Sequence, residues 1–151
     1  MRIVLQRVSH ASVTVRGQVI ARIGHGLLLL VASGTDDGPD EPQRLADKIF
    51  GLRVFSDEEG KMNLSVSDVG GEILVVPQFT LYGSVRKGRR PSWDAAAPPE
   101  EASERVERLA VALEALGAQV SRGAFREHMD VELLNHGPVT LIIDGADLAT
   151  R

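Results

Sequence analysis

Apolar and polar residues alternate through Ile3 and Leu5, and again through Ala11, Val13 and Val15. That is the period of a strand with one buried face. Gly17-Gln18 lies between Val15 and Val19 and predicts a hairpin turn. After Gly24-His25-Gly26, residues 27–31 are apolar without interruption, which suits a central strand covered on both faces. Residues 34–42 hold Asp36, Asp37, Asp40 and Glu41 with Gly38 and Pro39, a loop entering a helix. Pro42 fits a first helical turn, and the acids there complement the helix dipole. Leu45, Ala46, Ile49 and Leu52 recur at helical spacing. Arg53-Val54-Phe55 returns to strand, and Glu59-Gly60 is a turn. Residues 73–76 predict a short buried strand, which Phe79 and Leu81 continue past Pro77. Residues 84–99, rich in Gly, Pro and basic side chains, read as a long loop. Ala102, Val106, Leu109, Ala110, Leu113 and Leu116 form one stripe on a helix over 100–116, with Gly117 as its cap. Val131, Leu133 and residues 139–143 close the chain as strands. The pattern is that of a mixed α/β chain with many strands and two main helices.

Composition narrows the function classes. The 151 residues are 43% hydrophobic and 25% charged, which predicts one globular domain over residues 1–151 with a real core. No repeat, low-complexity tract or linker interrupts it. There are no cysteines, so disulfides, thiolate zinc sites, iron–sulfur clusters and cysteine nucleophiles are excluded. The longest apolar run, 27–32, is far short of the ~20 residues a membrane span needs. The first seven residues place an arginine, Arg7, inside what would be the apolar part of an export signal. These features predict a cytoplasmic protein with no membrane partner.

Several common sites are missing. Gly24-x-Gly26 is followed by Leu29 where a dinucleotide fingerprint needs a third glycine. There is no phosphate-binding loop ending in Lys-Ser or Lys-Thr, and no nucleophile elbow. His10, His25, His128 and His136 form no pair at metal-ligand spacing. Asp36, Asp37 and Asp40 lack the spaced ligands of a calcium loop. Neither a metal nor a cofactor is expected.

Three segments carry a signal. Arg86-Lys87-Gly88-Arg89-Arg90 has four cations in five residues, with no acid between Ser84 and Trp93. The rest of the chain is left with 13 basic against 21 acidic residues, a net of −8. A basic arm on an acidic body suits phosphate contact, and a solubilising loop has the same composition. Trp93, the only tryptophan, has two roles open to it: stacking on a base, or the more usual packing on its own domain. In the second segment, residues 76–81, Pro77 removes a ladder donor and ends or edges the strand. Extended geometry would put Gln78 and Thr80 on one side and Phe79 on the other. In the third, residues 135–140, Gly137-Pro138 interrupts strand-like sequence and reads as a turn.

In order and spacing these segments are specific. Leu5-Gln6-Arg7-Val8, Ala11-Ser12-Val13-Thr14-Val15, Phe55-Ser56-Asp57, Gly60-Lys61-Met62-Asn63-Leu64, Gln78-Phe79-Thr80-Leu81, Gly88 with Arg90-Pro91-Ser92, and Asn135-x-Gly137-Pro138-Val139-Thr140 resemble the D-aminoacyl-tRNA deacylase family along nearly the whole chain. The resemblance implies an α/β fold in a single compact domain, with mixed and antiparallel sheets in a barrel-like sandwich, two main helices and a homodimer. It implies hydrolysis of D-aminoacyl-tRNA and glycyl-tRNA. The partners are then aminoacyl-tRNA and a second copy of the chain, with neither DNA nor a membrane.

The resemblance also assigns residues. Gly137 and Pro138 would share a cis bond and reach into the other subunit's site, their carbonyls forming a wall that an L side chain hits. Arg7 would hold that wall, since a guanidinium can donate to several carbonyls at once. Gln78, Phe79 and Thr80 would form the catalytic strand end, with backbone N–H groups near Phe79 and Thr80 as an oxyanion hole. Thr80 could be drawn as a nucleophile, but no general base is evident beside it, which favours direct attack by water; the resemblance implies assistance from the terminal ribose hydroxyl. Met129 occupies the family's methionine position near the site, and core filler is an equal reading of it. Arg86, Lys87, Arg89 and Arg90 would contact tRNA. Two departures stand out: Pro77 replaces the usual serine, and His136 stands where an acid is common. The competing readings are an editing hydrolase for L-aminoacyl-tRNA and a tRNA-binding module without chemistry.

Overall fold

In a computed structural model that describes residues 1–148, the alternation at the N-terminus becomes one strand, β1 (Arg2–Val15), burying Ile3, Leu5, Val8, Ala11 and Val13. Its pattern breaks once, where Arg7 and Val8 are buried in succession. The hairpin to β2 (Gln18–Ile23) turns on Arg16-Gly17 rather than Gly17-Gln18. Both turn residues have positive φ, 48° and 76°, the two-residue geometry that matches strand twist. The apolar run is β3 (Gly26–Ala32). It pairs antiparallel with β1 and parallel with β6 (Glu72–Pro77). Between β3 and β6 lie helix α1 (Glu41–Gly51) and a small ribbon of β4 (Phe55–Ser56) and β5 (Met62–Leu64). Helix α2 (Pro99–Ala115) then leads to β7 (Gln119–Arg122), parallel to β6. The last strand, β8 (Asp130–Asp144), runs antiparallel to β1 along nearly its whole length.

The main sheet has the order β2-β1-β3-β6-β7, with β8 on the other side of β1. Its edge strand β2 comes back against β6 and β7, so the sheet curls into a nearly closed barrel. One core cluster lies between sheet and helices, with Leu5, Leu29 and Ile73 against Leu45, Ile49 and Leu109. A second cluster, with Val8, Val13, Ile23, Leu28 and Leu74, fills the other face. Leu28 and Leu29 thus face different cores, which is why β3 carries no polar residue. The α-amino group of Met1 is buried against Asp37, at 2.5 Å, and Glu41, tying the start of β1 to α1.

Three features differ from the sequence reading. The strand expected to continue through Leu81 ends at Pro77, and Phe79–Tyr82 forms a 3-10 turn. Pro77 is the reason, since it has no N–H for the ladder. The strand β7 was not anticipated, being four residues long and only half-buried. The expected interruption at Gly137-Pro138 is absorbed within β8 as a slip in its pairing with β1 around Val8. The expected barrel-like architecture is met by one six-stranded sheet that curls nearly closed, with a small two-stranded ribbon beside it. Among the described residues, no helix is long and apolar enough to cross a membrane.

Candidate active site

Strand β6 delivers Gln78 to the surface at the end of the sheet. The Gln78 N–H still donates to the Val31 carbonyl at 2.8 Å. Beyond it the chain coils, and the Gln78 side-chain amide donates to the Thr80 hydroxyl. Gln78 and Thr80 therefore do share a side, through a turn and not through extended geometry. Phe79 and Thr80 open that turn, and their N–H groups lie beyond the reach of its own carbonyls. Among the described residues, no side chain caps them.

Gln78 and Phe79 stand on a cleft of about 860 Å³ between the ends of β3 and β6, the start of α2 and the loop before β8. Its floor is apolar, with Val31, Val76, Val106 and Val131. Met129 also lines it and is half-buried, its Sδ accepting from the Ala124 N–H at 3.3 Å. Met129 thus forms part of the cleft wall and also fills space beneath the loop before β8. Pro77 lines the cleft as well.

The sequence reading did not select Phe125 or His128, which also line the cleft. His128 Nε2 lies 3.4 Å from Asp130 Oδ1, but both side chains are at least 80% exposed, so the pair is weak. Phe125 lies in the loop before β8, where an aromatic residue without strand or helix periodicity was the one available signal. Among the described residues, no three His, Asp or Glu side chains are placed to hold a metal ion.

A second constellation lies elsewhere. Gly137-Pro138 is a cis peptide, and both residues are exposed. Neither lines the cleft of its own chain. Arg7 is 6% exposed and lies beneath them. Its Nε donates to the His136 carbonyl at 3.0 Å and its Nη1 to the Val54 carbonyl at 2.7 Å. The Asn135 side chain clamps the bend from the other side. It accepts from the Val139 N–H at 3.1 Å and donates back to the Val139 carbonyl and the Thr140 hydroxyl at 3.2 Å. The His25 ring stacks near Phe55 and His136. Burial away from water, and after it the nearby His136 and Arg7 side chains, holds its pKa below the ordinary value.

The basic segment forms a third feature. Arg86, Lys87, Arg89 and Arg90 are all exposed and lie outside the cleft lining. Thus the structure gathers Gln78, Phe79 and Met129, ties Thr80 to them, and groups Arg7 with Gly137 and Pro138 at a separate place.

Comparison with known proteins shows the family of the chain. The family model of D-Tyr-tRNA(Tyr) deacylase matches residues 4–144. A D-aminoacyl-tRNA deacylase of Heliobacterium modesticaldum is 54% identical over 145 residues, 96% of this chain and 97% of the relative. One from Koribacter versatilis is 56% identical over 144 residues, 95% of this chain and 97% of the relative. Among solved structures, one described as a c-Myc DNA unwinding element binding protein superposes with a TM-score of 0.89 at 39% identity. It covers 95% of this chain and 98% of its own. A probable eukaryotic D-amino acid tRNA deacylase shares the fold at a TM-score of 0.79 and 19% identity, over 94% of this chain and 97% of its own. This chain belongs to the D-Tyr-tRNA(Tyr) deacylase family.

Proposed function

We propose that the protein hydrolyses the ester of D-aminoacyl-tRNA and of glycyl-tRNA and spares L-aminoacyl-tRNA. The observation that carries this reading is the Gln78-Phe79-Thr80 turn at the rim of an apolar cleft, with the N–H groups of Phe79 and Thr80 uncapped among the described residues. The N–H groups of Phe79 and Thr80 receive the developing oxyanion. Water adds to the ester carbon, and the bond from that carbon to the ribose oxygen breaks. The ribose leaves as a free hydroxyl, the amino acid as a carboxylate, and one proton passes to solvent. The neighbouring ribose hydroxyl helps to orient the water, and Gln78 and Thr80 hold both in place.

Chiral selection comes from Gly137 and Pro138 of a second copy of the chain. Their backbone oxygens face the α-carbon, so an L side chain collides with them while a D side chain points away. Glycine has no side chain to collide. The exposure of both residues outside their own cleft supports this reading. So does the free edge of β8, fifteen residues long and paired with β1 alone among the described strands. Leu134 and Ile142 on it are 54% and 72% exposed, and a long apolar edge calls for a covering partner. The protein then acts as a homodimer in the cytoplasm, where aminoacyl-tRNA is found.

The test is hydrolysis of D-tyrosyl-, glycyl- and L-tyrosyl-tRNA side by side, with EDTA present. Cleavage of the first two, with the third spared, is the expected result. Cleavage of the L ester removes the wall and favours an L-editing hydrolase. Bound but intact tRNA in all three favours a binding module.

A further inference from the structure

Trp93 is the only tryptophan of the chain and is 40% exposed. Its ring meets that of Phe79, itself 55% exposed, at 66° with centroids 5.1 Å apart. Both rings stand at the rim of the cleft. The indole lies against Gly83, where a Cβ would come within 2.7 Å of the ring. Glycine at 83 is what admits the indole to this position.

Trp93 also follows directly on a backbone bridge. The Ser84 N–H donates to the Ser92 carbonyl at 2.8 Å, and the Ser92 N–H to the Ser84 carbonyl at 2.9 Å. The bridge closes residues 85–91 into a hairpin whose Arg86, Lys87, Arg89 and Arg90 are all exposed. Four cations are thereby tied to the foot of an exposed indole. Aromatic faces beside cations are what single-stranded nucleic acid needs, with bases stacking and phosphates neutralised.

We propose that Phe79 and Trp93 form a stacking platform for the unpaired nucleotide that precedes the terminal adenosine of the substrate, with the hairpin cations on the adjoining phosphates. The proposal rests on the reading that the substrate is an aminoacyl-tRNA whose terminal nucleoside enters the cleft. The strand then leaves the cleft over the rim where the rings stand.

The test compares D-tyrosyl-tRNA with D-tyrosyl-adenosine, which has no preceding nucleotide, on the wild-type protein and on Trp93→Ala and Trp93→Phe. Trp93→Ala is expected to raise KM for the tRNA about tenfold more than KM for the adenosine ester, with little effect on kcat. Trp93→Phe should recover most of that loss, because a phenyl face still stacks. Equal changes on the two substrates would overturn the platform while leaving the hydrolase reading intact.

If the wild-type protein cleaves neither substrate, the hydrolase reading fails, and the platform is judged on fluorescence alone. Trp93 is the sole indole reporter. Quenching by the trinucleotide CCA, but not by adenosine, supports the platform. Equal quenching by adenosine, or no quenching by either, overturns it.

Discussion

Arg7 shows at the scale of one residue how a buried charge is used. Its guanidinium lies beneath the Gly137 bend and donates to two backbone carbonyls, of His136 and Val54. Among the described residues no carboxylate pairs with it. A buried charge without a counter-ion is costly, and here that cost is offset by the two carbonyl acceptors, which a neutral packing residue would leave unsatisfied. What only arginine supplies is a rigid fork that reaches two acceptors. Arg7→Ala leaves both carbonyls without this donor, and a loss of about 3 kcal/mol in urea unfolding is expected. Arg7→Lys keeps the charge but reaches one carbonyl, and should recover only part of it. Under conditions where both variants stay folded, the preference for D- over L-tyrosyl-tRNA should fall at least tenfold. An unchanged preference would make Arg7 a purely structural residue.

At the scale of elements, the legible parts are those whose side chains face one environment along their length. Alternation gave away β1, continuous apolarity gave away β3, and the stripe from Ala102 to Leu113 gave away α2. Hidden elements owe their form to neighbours. The short strand β7 exists because β6 offers it a parallel edge. The bend at Gly137 stays within a strand because Asn135 and Arg7 hold it there. The cleft was invisible for the same reason, since Val31, Val76, Val106 and Phe125 come from four separate stretches of chain. Only the resemblance pointed to Gln78, Phe79, Thr80 and Gly137 as a set.

The parallel pairing of β3 with β6 has a residue-level requirement. A Cβ on Gly26 would overlap the backbone oxygen of Glu72. Gly26→Ala should therefore cost about 3 kcal/mol or prevent folding altogether. Gly51→Ala, at the end of α1 with nothing within 4 Å of its new methyl, should gain up to about 1 kcal/mol. Equal midpoints for the two variants in denaturant would refute the close approach at Gly26.

At the scale of the whole molecule, charge is distributed so that one loop opposes the rest. The chain carries −4 overall, and the four cations of residues 86–90 offset a body of −8. A polyanion approaching the body is repelled, and one approaching the hairpin is attracted, so the hairpin sets the direction of approach. Each phosphate a cation neutralises releases counter-ions and adds about 0.7–0.9 to the slope of log affinity against log salt. Replacing Arg86, Lys87, Arg89 and Arg90 together by alanine should flatten that slope by up to about 3. A second consequence follows from the sign of what remains. The variant carries a net −8, the 17 cations reduced to 13 against 21 acids, so screening now weakens repulsion where it had weakened attraction. KM for D-tyrosyl-tRNA should rise with salt for the wild-type protein, but stay flat or fall with salt for the variant. Meanwhile kcat should change little, because the cations lie outside the cleft. Parallel salt dependence in the two proteins would remove the hairpin from tRNA binding and leave it as a solubilising loop.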